Sequence, residues 1–320
     1  MINNEQKIIQ SLFYPLSKNF ESMNLQNDAA FLKNINKNLV VTSDMMIENF
    51  HFETNDNPVF LAQKVLRVNL SDLAAMGSKP YGYVLNLGIP KNKTSFWLEK
   101  FCKGLKLEQT KYDLKLFGGD LSRSEKIFIS VTMIGKSNTK IHYCDKAKKN
   151  TDIFVSGYLG DSSINFLLKK TKDRIFTDLP YKKNLLPIPR ITLGNQLIGY
   201  CDSCTDISDG LLIDLEKISN FSKLGAKVFL NKIPLSTKSK KIKKVMNNNK
   251  NFWELILTGG EDYELLFSMS EEKQKVFFNK FKKKLPKITK IGHFEDGKGI
   301  DIFLDSETKI KFKKMGFSHF

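Results

Sequence analysis

The chain has 320 residues, 41% of them hydrophobic and only nine of them proline, a composition that excludes a disordered protein and leaves room for two domains with separate cores. The formal charge is +17 at pH 7, yet Arg67, Arg123, Arg174 and Arg190 are the only arginines. Bidentate phosphate and base-edge contacts favour arginine, so lysine spread over the whole chain argues against nucleic-acid binding and suits solvated faces or an anionic small-molecule substrate.

From the N-terminus, Met1 to Lys7 contains no apolar core of a leader sequence, and no later run is long enough to span a bilayer, so a soluble, cytoplasmic protein without a membrane partner is expected. Residues 7–24 read as a helix with Ile8, Ile9, Leu12 and Phe13 as its stripe. Leu39 to Asp44 reads as a short strand that ends on polar residues, and Met45 to Phe52 follows it, carrying Glu48 and His51. After Pro58 a helix is expected, with Leu61, Val65, Val68 and Met76 at helical spacing and Gly77 and Pro80 as stop signals. Asp72 falls on that apolar face, where a carboxylate costs free energy unless something pairs with it. Tyr83 to Ile89 reads as a strand, Ser95 to Tyr112 as a second helix, and Leu114 to Phe117 as a strand running into Gly118-Gly119-Asp120. Ile127 to Ile134 alternates as a further strand.

The polar, lysine-rich stretch 137–150 marks the expected boundary between an N-terminal half, residues 1–136, and a C-terminal α/β half, residues 137–320. The second half opens with strand Ile153 to Ser156. Pro187 and Pro189 precede another helix, and Thr205 to Gly210 opens a helix with Leu211, Leu212, Leu215 and Ile218 on one face. Lys238 to Lys250 reads as a solvated helix or loop. Thr258-Gly259-Gly260-Glu261-Asp262 precedes an expected strand Tyr263 to Phe267, in which Asp262 and Glu264 serve the turn and the strand. Cys201 and Cys204 form a lone C-x-x-C without the second ligand pair that zinc needs, and His142 and His293 lack ligand spacing, so the four cysteines read as reduced thiols.

Asp28, Asp44, Asp120, Asp206 and Asp209 each end an apolar segment beside glycine or a small hydroxyl residue, and Asp72 makes a sixth. Single acids at such places are ordinary caps and turns. Six in so basic a chain also suit several Mg²⁺ ions gripping a polyphosphate, because hard divalent cations take oxygen ligands. Gly118-Gly119-Asp120 lets backbone approach a phosphate. No Walker A loop and no protein-kinase signature occurs, so an ATP-using chemistry would rest on carboxylates and metal.

In combination these motifs resemble the thiamine-monophosphate kinase family. The resemblance is carried by Val41-Thr42-Ser43-Asp44 with His51-Phe52, Val68 to Gly77, Gly118-Gly119-Asp120, Asp206-Ile207-Ser208-Asp209-Gly210, Gly259 to Leu265 and the closing Gly316-Phe317-Ser318-His319-Phe320. That family shares a superfamily with aminoimidazole ribonucleotide synthetase and selenophosphate synthetase. The resemblance implies a two-domain PurM-like α/β fold and a homodimer whose N-terminal sheets meet. It also implies transfer of phosphate from ATP to thiamine monophosphate, giving thiamine diphosphate and ADP. By analogy, Asp28, Ser43, Asp44, Asp72, Asp120, Asp206 and Asp209 would hold Mg²⁺; Gly119, Asp120 and Ser208 would contact ATP; His51, Glu261 and Phe317 would contact thiamine monophosphate.

Three departures stand out. Gln26-Asn27-Asp28 replaces a Gly-Asp-Asp pattern, with one carboxylate fewer. An arginine of the family is missing from Tyr143 to Lys148, where Lys146 or Lys148 is left to supply charge to ATP without a guanidinium fork. Cys102 falls near a position that can carry an aromatic. Sister enzymes fit less well. A selenophosphate synthetase would need a reactive cysteine near the N-terminus, and a hydrogenase-maturation relative a cysteine at the C-terminal end, whereas Cys102 is the first cysteine here and Cys204 the last.

Overall fold

A computed structural model describes residues 8–22, 32, 36–93, 95–137, 140–170, 186–246, 249–282, 284–305, 307–312 and 314–317. Two compact units divide the chain. Residues 1–73 and 78–139 form the first, and residues 74–77 and 140–320 the second, so the end of one helix belongs to the second unit.

In the first unit the expected N-terminal helix is replaced by a π-helical turn, Ile9–Phe13, and a 3₁₀ turn, Tyr14–Leu16. Pro15 has no N–H to continue a helical ladder. The sheet comprises β1 (Asn38–Ile47), β2 (Lys79–Ile89), β3 (Lys115–Arg123) and β4 (Phe128–Ser137) in the order β1-β4-β2-β3. β1 and β2 each pair antiparallel with β4, while β2 and β3 are parallel. β1 runs three residues beyond the expected Asp44 because Met45, Met46 and Ile47 continue its alternation opposite Ser130, Ile129 and Phe128.

Helices α1 (Pro58–Ala75) and α2 (Ser95–Tyr112) supply the apolar stripes of this unit. Proline opens α1, where its missing N–H costs nothing, and Gly77 at φ 66 ends it. Leu61, Val65, Leu66, Leu70 and Leu73 are all nearly sealed from solvent, as are Phe101 and Leu105 of α2. Arg67 forks onto Glu108 with bonds of 2.9 and 2.8 Å, and Gln63 gives that carboxylate a third at 2.6 Å, so the buried acid between the helices is satisfied.

The second unit is built on a seven-stranded mixed sheet. Its strands are β5 (Asp152–Ser156), β6 (Ser203–Asp206), β7 (Gly225–Phe229), β8 (Leu265–Met269), β9 (Ile288–Glu295), β10 (Gly299–Phe303) and β11 (Lys309–Ile310), in the order β11-β10-β7-β9-β5-β8-β6. Around it lie α3 (Asp161–Lys170), α4 (Ile191–Leu197), α5 (Leu211–Ser222), α6 (Thr237–Val245), α7 (Asn249–Thr258) and α8 (Glu271–Phe281). One core gathers Ile153, Leu211, Leu215, Phe252, Trp253 and Ile291, and another gathers Phe154, Leu193, Leu197, Phe267 and Phe277.

One expectation narrows to its helical alternative and another shifts. The lysine and asparagine run becomes α6, which Ser236 caps by accepting the Ser239 N–H, and the start of α7. β8 begins at Leu265 rather than Tyr263, because Glu261 and Tyr263 sit at φ 58 and φ 50, outside the strand region. Among the described residues no helix is long and apolar enough to cross a membrane.

Candidate active site

The second unit assembles its polar site on the turn after β6. Asp206 ends that strand opposite Leu265, and α5 starts at Leu211, so Ile207-Ser208-Asp209-Gly210 must bridge strand and helix in four residues. Asp214, in the first turn of α5, reaches back. Its Oδ2 accepts the backbone N–H groups of Ser208, Asp209 and Gly210 at 3.1, 3.2 and 3.2 Å. Three donors on one oxygen hold the turn against the helix N-terminus. Asp214 is buried; burial first, and then the charge of Asp209, push its carboxyl up to about 7.

The carbonyls of the same turn collect two distant segments. Ile207 O accepts from Tyr263 N at 2.8 Å, Ser208 O from Glu261 N at 2.7 Å, and Asp209 O from Phe317 N at 3.0 Å. Ser208, Asp209, Glu261 and Phe317, four of the residues singled out from the sequence, are therefore backbone neighbours. Gly260 permits the closure: at φ +68, a Cβ there would lie 2.6 Å from Ser208 O. The adjoining acids are structural, as their context suggests. Asp262 accepts Gly160 N–H at 2.9 Å, and burial pushes its carboxyl up. Glu264 holds Arg190 in a two-bond fork of 2.6 and 2.5 Å and accepts Ser156 Oγ at 2.5 Å.

The first unit presents its polar residues on two faces of one sheet. Thr42 and Asp44 alternate with Ser43 along β1. Thr42 Oγ1 donates to Asp72 Oδ2 at 2.5 Å, so the acid on the apolar face of α1 finds its first partner on β1. Ser43 stands on the other face, with its hydroxyl 3.2 Å from Val131 O and 3.1 Å from Thr132 Oγ1. Asp120 is exposed near the end of β3 and accepts Ser122 Oγ at 2.8 Å. Gly119 is obligatory before it, because a Cβ would lie 1.8 Å from Leu85 O of the adjacent strand. His51 accepts Ile47 N–H on Nδ1 at 3.0 Å, which puts the proton of its neutral ring on Nε2, and its ring meets Phe50 edge-on.

Comparisons with known proteins place this pattern. The family described as AIR synthase related protein, N-terminal domain, matches residues 26–137, and its C-terminal domain counterpart matches residues 157–305. The thiamine-monophosphate kinase of Buchnera aphidicola (Schizaphis graminum) is 38% identical over 99% of both chains, and that of Aquifex aeolicus 31% identical over 95% of both. This chain belongs to the thiamine-monophosphate kinase family. A solved thiamine-monophosphate kinase from Stenotrophomonas maltophilia superposes with a TM-score of 0.80 at 31% identity, covering 95% of this chain and 96% of that one. A complex of AaThiL with AMPPCP and TMP gives 0.76 at 29%, covering 93% and 94%. The hydrogenase maturation protein HypE of E. coli, at 0.78 and 16%, shares the PurM-like α/β fold alone.

Some residues singled out from the sequence stand apart from these groups. Asp28 lies outside the described residues, as do Gln26, Asn27 and the closing Ser318-His319-Phe320. Lys146 and Lys148 are exposed; Lys146 lies 3.4 Å from Asp145 and Lys148 3.7 Å from Asp202. Cys102 is buried in α2, where burial pushes its thiol up to about 12. Two residues went unremarked in the sequence. Thr42 is one more hydroxyl residue beside Ser43 in a polar strand end, and only its contact with Asp72 sets it apart. Asp214 carried a usable signal, as an acid one turn into a helix that follows a tight turn.

Among the described residues no group of three or more His, Cys, Asp or Glu side chains is gathered to hold a metal ion. The side chains at the positions named for metal are nevertheless all carboxylates and a hydroxyl. That hard oxygen donor set fits Mg²⁺ and would suit a soft metal badly.

Proposed function

We propose that this chain transfers the γ-phosphoryl group of ATP directly to the phosphate of thiamine monophosphate, giving ADP and thiamine diphosphate. The observation that carries the reading is the turn 206–210, whose carbonyls fasten Glu261 and Phe317 beside Ser208 and Asp209. Residues expected to touch the acceptor and residues expected to touch the nucleotide and its metal thus share one backbone scaffold.

The acceptor is a phosphate monoester with a second pKa of about 6, already dianionic at neutral pH, so no general base is needed. The obstacle is repulsion between two polyanions, and positioning with electrostatic stabilisation is the remedy for phosphoryl transfer. Asp28, Ser43, Asp44, Asp72, Asp120, Asp206 and Asp209 would hold Mg²⁺. Bound Mg²⁺ supplies the positive charge that offsets the two sets of phosphate oxygens. Gly119, Asp120 and Ser208 contact ATP, and Lys146 and Lys148 offer it point charges from the surface. Glu261 provides an anion and Phe317, 45% exposed, an aromatic face for the thiazolium cation, and His51 is a further contact for thiamine monophosphate. The cytoplasm, where ATP is supplied, suits this chemistry.

A homodimer fits the first sheet. Leu39, Val41 and Met45 are 41%, 61% and 53% exposed on one face of β1, and Val41 pairs with Ile134 on that face. Exposed apolar residues on one sheet face, here interrupted only by Ser43, suit an interface. The test of the reading is direct: purified protein, ATP, Mg²⁺ and thiamine monophosphate should yield thiamine diphosphate, and no product from folded protein at any magnesium concentration would refute it.

A further inference from the structure

Where β6 begins, a histidine and two cysteines meet that the phosphoryl-transfer reading leaves unused. His142 is 4% exposed, and its backbone N–H donates to Met76 O at 3.3 Å. Its Nε2 lies 2.8 Å from the carbonyl of Gly194 in α4. A carbonyl can only accept, so Nε2 carries a proton. That leaves Nδ1, 3.1 Å from Cys201 Sγ, as the base facing the thiol. One proton sits between sulfur and nitrogen, and with it on nitrogen every hydrogen bond of the imidazole is kept. This is the arrangement that makes a cysteine nucleophilic.

Cys201 is half-buried, and Cys204, two residues beyond Asp202, is buried with its thiol 3.9 Å from Thr205 O. The neighbouring Cys204 thiol first, and His142 next, bring the Cys201 thiol down to about 6 against the opposing effect of burial. Burial resists charging His142, but the Cys201 bond and charge outweigh it and raise the ring. Asp202 opposes the thiolate, yet is itself engaged by Lys273 at 2.6 Å and Lys148 at 3.7 Å. Cys144 completes the surroundings, its thiol 3.4 Å from Cys204 O.

We propose that Cys201 is an oxidation site for hydroperoxides, with His142 as its proton partner and Cys204 as the resolving thiol. The Cys201 thiolate attacks one peroxide oxygen, an S–O bond forms as O–O breaks, and the departing alkoxide takes the proton from His142. The Cys204 sulfur then attacks Cys201; the S–S bond forms, the S–O bond breaks, and hydroxide leaves with the Cys204 proton as water. Overall two thiols lose two electrons and two protons, and the hydroperoxide becomes an alcohol and water. The proposal does not rest on the phosphoryl-transfer reading, since Cys201, Cys204 and His142 have no part in it.

Two measurements on the full-length protein test it. In the reduced protein, iodoacetamide should label Cys201 with a rate that rises through a pH midpoint of about 6 rather than the ordinary value of about 8.5. The His142→Gln variant, checked for folding by circular dichroism, should move that midpoint up by more than a unit. Treatment with tert-butyl hydroperoxide should then link Cys201 to Cys204 in peptide maps. In Cys204→Ser the oxidation should stop at a sulfenic acid that dimedone traps on Cys201. A midpoint at or above 8 in the wild-type protein, or peroxide oxidation that falls on Cys102 or Cys144 before Cys201, would overturn the proposal.

Discussion

The backbone N–H of Phe317 donates to the carbonyl of Asp209 at 3.0 Å, so the last described segment is fastened to the turn between β6 and α5. Gly316 makes the approach possible, since a Cβ there would lie 3.0 Å from that same carbonyl and 2.4 Å from Ile213 Cγ2. Phe317 is thereby held with its ring partly exposed rather than buried in the core. Replacing it with alanine should raise KM for thiamine monophosphate about tenfold, roughly 1.4 kcal/mol, with kcat within about threefold. KM for ATP should not move. Steady-state kinetics with each substrate varied in turn checks this; equal losses for both substrates would assign Phe317 to the fold instead.

Asp72 and Thr42 act as a pair. Asp72→Asn should abolish turnover, by about 100-fold or more, while leaving circular dichroism and thermal unfolding near those of the parent. Asp209→Asn should do the same from the second unit. Thr42→Val keeps the shape of the side chain but removes the donor at 2.5 Å, so a smaller loss of about tenfold is expected. Normal activity in Asp72→Asn would remove that carboxylate from metal binding.

Asp214 works through geometry. All three N–H groups of the turn point at one oxygen, and an asparagine carbonyl can take its place. Asp214→Asn is therefore expected to keep activity within about threefold, whereas Asp214→Ala orphans three donors and should cost about 1–3 kcal/mol of stability together with most of the activity. Chemical denaturation and kcat/KM measured on both variants distinguish the two outcomes. A loss as large in the asparagine variant as in the alanine variant would show that the charge matters and the acceptor does not.

The open face of the first sheet should hold two copies together. Val41→Asp places a charge at a position that is 61% exposed in the single chain, so it should leave the protomer folded. Burying that charge against a partner sheet would be costly. Sedimentation velocity should show a dimer for the parent and a monomer for the variant; an unchanged dimer would move the interface elsewhere.

Much of this was legible in the residues where local signals agree. α1 and α2 follow their apolar spacing and end where glycine, proline or a change of pattern predicts. The C-terminal half was harder. The stripe of α6 and α7 is broken by lysine and asparagine, so Ile242, Phe252, Trp253 and Ile256 do not read as one buried surface until the fold brings them together. Tyr263 has a strand-forming side chain, but the tertiary bond from its N–H to Ile207 O holds it at positive φ. The site divides the same way. The glycines and acids of the turns carry recognisable motifs, whereas Thr42 with Asp72 and His142 with Cys201 are contacts across 30 and 59 residues that no local spacing encodes. Cys201 in particular reads as an inert thiol until His142 is placed against it.

Direct transfer from ATP to the substrate phosphate is tested most directly by the position of an oxygen label. Thiamine monophosphate carrying ¹⁸O in its phosphate, incubated with the protein, ATP and Mg²⁺, should yield thiamine diphosphate that keeps all of the label, with one ADP formed for each product molecule. Label lost to water, or ADP formed without thiamine diphosphate, would contradict direct transfer from ATP to the substrate phosphate.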